Sequence, residues 1–267
     1  MAKIAAESRD VFNSKMLPYK EAVDKSLAKE KSILDTITND SPASALKRVE
    51  LSDEMVYVAT LYLTINNLSV ELIEVKNTEA LNDARKSLYK AVIYLEEVVT
   101  NLIDAPYSEY EDKVAKIASI SVEKRYYMVR KLGLAIRLLV DAYGDNTKWK
   151  WSFIELQGRF SVVAKNLMNL REAGKIFLEP SHKDYDNTVF HLRLLRKLLS
   201  QSADGYRDRY ELSTHRVDDM RNAILFLAAY RRICVIMSDS EEADEIRKKL
   251  AVWKEKLDSD TKKGISK

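Results

Sequence analysis

Apolar side chains recur in steps of three and four along most of this chain, a spacing that keeps them on one stripe of an α-helix and scatters them on a strand. Leu81, Ala84, Leu88, Ala91, Leu95, Val98 and Leu102 follow the rule without exception. Phe153, Leu156, Phe160, Val163, Leu167, Leu170, Gly174 and Phe177 repeat it. Leu51, Met55, Val58, Tyr62, Ile65, Leu68, Leu72 and Val75 make a third run. Its β-branched residues lower helix propensity, so packing must hold it, and a central position is expected. Only six Gly and four Pro occur in 267 residues, too few for the turns that sheets and loop-built sites require. The expected class is all-α: about eight mostly long antiparallel helices, in an elongated bundle or two packed helical modules.

Breaks in the periodicity place the helices. Ser41 and Pro42 end a sparse first helix that begins near Ser8, Asn77 and Thr78 separate the second from the third, and Ala105 with Pro106 closes the third. Ser108 and Glu111 have capping-box spacing for a fourth, and Gly144 suits the left-handed residue after its end. The fifth is read from the Trp149 region to Glu179 and Pro180. Asp204 and Gly205 are read as splitting a short sixth from a long seventh, and Ser238 with Glu241 as capping the eighth. Ile224 to Ala229 is continuously apolar, which predicts a seventh helix enclosed by neighbours. Three parts follow: an acidic three-helix module over 1–105, a basic five-helix module over 106–258, and a frayed polar tail over 259–267.

Charge supports that division. The first 112 residues hold 13 Lys plus Arg against 20 Asp plus Glu, a net of −7; the remainder carries +10. A basic half can meet an acidic half or an anionic partner. Cys234 is the only cysteine, so no intramolecular disulfide forms, and its apolar neighbours mark it as a core residue. The start MAKIAAESRD lacks the apolar stretch of a secretory signal, which makes a cytoplasmic location the expectation. The uncharged run Met55 to Val70 contains Thr60, Thr64, Asn66, Asn67 and Ser69, so it reads as a buried helix and no integral membrane segment is expected.

Two segments combine cations with aromatics. Lys148, Trp149, Lys150 and Trp151, with Arg159 further along, supply ammonium groups for phosphate or carboxylate and flat faces for stacking. Arg125, Tyr126 and Arg130, with Lys131 and Arg137 beyond, form the second cluster, in which a ring can lie under a guanidinium. Each has a plainer reading, as an inward-packed anchor or as a loosely paired surface.

Catalytic and metal signatures are missing. The three His are dispersed, Pro180 breaks the helix between Glu179 and His182, and the Ser-x-x-Lys spacings at Ser44, Ser87 and Ser121 lack the companion motifs of that chemistry. No catalytic residue, metal or cofactor is expected. The functional expectation is a non-enzymatic interaction or scaffold protein that binds another protein through an extended helical surface, with homo-oligomers compatible with such faces. The alternatives are a nucleic-acid-binding module using the basic and aromatic helices of the C-terminal half, and a helical enzyme whose groups converge only in three dimensions.

Overall fold

The computed structural model describes residues 6–266, and all regular structure in them is helical. The order is α1 (Ala6–Leu34), α2 (Pro42–Ile73), α3 (Thr78–Val98), a 3-10 turn (Tyr107–Glu109), α4 (Glu111–Ala115), α5 (Val122–Tyr143), α6 (Lys150–Asn166), α7 (Leu170–Phe177), α8 (Tyr185–Arg209), a π turn (Tyr210–Thr214), α9 (Val217–Ile236) and α10 (Ser240–Lys262). The all-α expectation holds. Two compact units divide the chain: the described part of Met1–Val98 with Met128–Thr147, and Val99–Tyr127 with Lys148 onward. A single cut after residue 105 does not describe this division, because the chain returns to the first unit at Met128.

In the first unit α2 packs on α1 and α3, burying Leu51, Met55, Val58 and Ile65 against Leu81, Leu88 and Leu95. Among the described helices α2 alone is long and apolar enough to cross a membrane; in this fold it is the central helix of its unit. Ser41 caps it by accepting from the Ser44 N–H, with Pro42 in the first turn, as its sequence requires. The turn into α3 is fixed from inside: the buried Asn66 carbonyl accepts from the Asn77 N–H at 3.0 Å, and the Ser69 hydroxyl donates to the Val75 carbonyl at 2.7 Å. The sparse α1 is tied to α3 by buried Glu30, which accepts from the Tyr94 hydroxyl at 2.5 Å and the Lys90 ammonium at 3.0 Å. Gly144, at φ +78°, ends α5 as its sequence position predicts.

In the second unit α8 is central, packed on α6 and α9, while α10 packs on α9 and reaches α8 through Lys249, which pairs with Asp204 at 2.9 Å. Four sequence expectations are corrected here. Gly205 does not break a helix: α8 runs through it, and the missing side chain makes room for Ile154 of α6, whose Cδ1 would lie 2.8 Å from an added Cβ. Gly158 of α6 answers by accommodating the Tyr206 ring, 2.6 Å from an added Cβ. The true break is the π turn, ended by His215 in the left-handed region and held by the buried Asp219 carboxylate, which binds Arg209 and accepts from Thr214 at 2.6 Å. The fifth helix is two, α6 and α7, because the Asn169 side chain caps the Glu172 N–H at 3.1 Å and starts a new helix inside the apolar stripe. The fourth is likewise split, with Ser121 rather than Ser108 accepting at the start of the long α5.

Three further corrections concern the C-terminal helices. α9 is not enclosed on every face, since Leu225 is 40% exposed. Asp239, one residue after the expected Ser238, caps α10. The tail is anchored: α10 continues to Lys262, and Asp260, beyond the expected end at 258, accepts from the buried Tyr210 hydroxyl at 2.8 Å. Cys234 is fully buried, and burial pushes its thiol up to about 11.

Candidate binding site in the second unit

The sequence-derived residues fall into separate places. Lys148 and Lys150 are exposed at the start of α6, each with its ammonium over the next ring, 5.3 Å from Trp149 and 5.0 Å from Trp151. Both indoles and Arg159 are half-buried. Arg130 is exposed on the part of α5 that belongs to the first unit. Tyr126 packs onto α8, stacked on Phe190 at 6.4 Å and tilted against His191 at 5.8 Å.

Arg125 has a different character from its sequence neighbours. It is 9% exposed and donates to three backbone carbonyls: Nε to Ile120 at 3.0 Å, Nη1 to Leu167 at 3.0 Å and Nη2 to Ile117 at 2.7 Å. Those carbonyls lie in the turns after α4 and at the end of α6, where helix geometry leaves acceptors short of intrahelical donors; the Ile117 carbonyl also accepts from the Ile120 N–H at 3.0 Å. One side chain thereby joins α4, α5 and α6. It forms no ion pair among the described residues, and burial pushes its guanidinium below the usual value. Arg125 is therefore withdrawn from any exposed partner surface.

Beside it lies a cavity of about 410 Å³, within the range of small-ligand sites. Val114, Ile120, Met168 and Ile176 give it apolar walls, while Arg125, Thr188 and His191 supply a polar end. Thr188 is 1% exposed and its hydroxyl has no hydrogen-bond partner among the described residues. His191 is equally buried, and burial pulls its pKa down to about 4, so the ring is neutral at pH 7. Its Nε2 lies 3.0 Å from the Ala164 carbonyl and must carry the proton there, which leaves Nδ1 as an acceptor. The rim carboxylates are engaged elsewhere: Glu111 binds Arg171 at 2.6 Å and Glu172 accepts from the Asn169 amide at 3.3 Å.

Thr188 and His191 did not stand out in the sequence. The available signal was two polar residues interrupting the stripe that continues through Leu192, Leu195 and Leu199, all fully buried. Glu179 and His182 sit in the turn before α8, where the His182 Nδ1 accepts from the Asp184 N–H at 3.1 Å. Among the described residues no group of three or more His, Cys, Asp or Glu could hold a metal ion.

A second concavity, of about 400 Å³, runs along α8 and is lined by Arg193, Arg196, Lys197, Ser200, Gln201 and Tyr230. Arg196 pairs with Asp239 at 2.9 Å, whereas Arg193 and Lys197 are exposed and form no ion pair among the described residues. No curated protein and no solved structure matches the chain. A family model does match, over residues 8–261, and the chain belongs to the TP0443 family.

Proposed function

We propose that this is a non-enzymatic interaction protein that binds an acidic segment of another protein through the outer surface of its second unit. The observation that carries the reading is the face of α8. Phe190 is 48% exposed, Arg193 and Lys197 follow at helical spacing, and neither cation pairs with an acidic side chain among the described residues. An exposed aromatic beside arginine is the composition of interface anchors, and unpaired cations accelerate encounter with an acidic partner. The net +10 of the chain beyond residue 112 supports the same direction.

Nucleic acid is the second reading, favoured by the Lys148 to Trp151 segment, where each ammonium lies over an indole that also offers a stacking face. Affinity purification of the native chain and of a double variant, Arg193→Glu with Lys197→Glu, distinguishes them. The expected result is a protein captured by the native chain, retained after nuclease, and lost with the variant. Identical capture by both proteins would remove the α8 face from the function. Capture that disappears with nuclease and falls steeply with salt would establish the second reading instead.

A further inference from the structure

The cavity beside Arg125 presents a buried positive charge that forms no ion pair among the described residues, with the Glu172 carboxylate acting on it only from the rim. An arginine is always ionised, and taking its charge out of water normally demands an anion nearby. Arg125 has three carbonyls instead. Carbonyl dipoles fix its orientation but do not neutralise it, and they use three of its five N–H groups, so two remain without a partner. The hydroxyl of Thr188 is a further donor, buried in the same cavity wall and without a hydrogen-bond partner among the described residues. A native structure rarely leaves such a group unanswered unless something else completes it.

We propose that this cavity binds a small carboxylate with an apolar body. The two carboxylate oxygens accept from the free N–H groups of Arg125 and from the Thr188 hydroxyl, and the body lies against Val114, Ile120, Met168 and Ile176. One fixed cation matches one negative charge. A phosphate ester is disfavoured by its second charge, because Glu111 and Glu172 stand at the rim. The neutral imidazole of His191 adds no competing charge, and its bond to Ala164 holds the ring in place as part of the wall.

The test uses the full-length chain and a series of butanoate, hexanoate, octanoate and phenylacetate, each beside its neutral amide, followed by calorimetric titration and by melting temperature. At least one carboxylate should bind saturably and raise the melting temperature, with its amide at least about tenfold weaker. Thr188→Val keeps the shape and removes an unpartnered hydroxyl, so the unliganded variant should melt no lower than the native chain. The same variant should bind the carboxylate at least about fivefold more weakly. A structural role alone would move the first quantity and leave the second. No saturable binding of any member up to about 10 mM, equal binding of acid and amide, or undiminished binding by Thr188→Val would each overturn the proposal.

Discussion

Glu30 of the first unit and Arg125 of the second are buried charges met in different ways. In the first, buried Glu30 is met by a tyrosine and a lysine, and Asn66 and Ser69 close the α2–α3 turn with backbone partners. In the second, Arg125 is held by carbonyls alone, and buried Lys165 has its ammonium over the Tyr110 ring at 5.3 Å without an ion pair. Burial pulls Lys165 down to about 8. A side-chain partner neutralises a buried charge, whereas a carbonyl or an aromatic face only orients it. The first unit is thus finished by its own residues, and the second keeps charge and hydroxyl in reserve beside a cavity.

The largest expected effect is at Arg125. Arg125→Ala removes the donors to three carbonyls, of which Ile117 keeps only its bond from the Ile120 N–H, and should cost about 3–5 kcal/mol in urea denaturation. Arg125→Lys should recover less than half, since an ammonium cannot reproduce the fork. A loss of under about 1 kcal/mol would erase the contrast between the units.

Next is the acid side of His191. Its folded pKa, about 4, lies below the ordinary 6.5, so the unfolded chain binds the proton first as pH falls. Its contribution is whole above pH 6.5 and is lost progressively down to about pH 4, reaching about 3 kcal/mol. His191→Gln should flatten that part of the stability profile. An unchanged slope would mean that the ring is hydrated in the native state.

The smallest effect sharpens the comparison from the other unit. Tyr94→Phe removes one hydrogen bond to Glu30, but Lys90 still holds the carboxylate, so a cost of about 1–2 kcal/mol is expected. If it exceeded the cost of Arg125→Ala, the first unit would be the one that depends on a single buried polar contact.

The helices were legible because burial of a stripe repeats every turn and each repeat is local. Gly144 was also legible, since a left-handed residue acts within one turn, whereas Ser41 was read as the end of the first helix and proves to cap the second. Gly205 was misread because the same residue that breaks an isolated helix also permits a close approach, and Ile154 lies 51 residues earlier in the chain. Arg125 was grouped with Tyr126 and Arg130 as surface because its partners, Ile117, Ile120 and Leu167, contribute backbone oxygens that every residue possesses. Thr188 left only a weak trace, a polar residue interrupting the apolar stripe of α8.

The sequence by itself determined that the chain coils, where its strongest stripes lie, and that positive charge gathers in its later part, because each of these follows from side-chain type and local spacing. Only the tertiary structure decided which cations face water and which are enclosed. That choice depends on the backbone groups that arrive from distant segments, and the desolvation of one guanidinium outweighs any preference written in its neighbours.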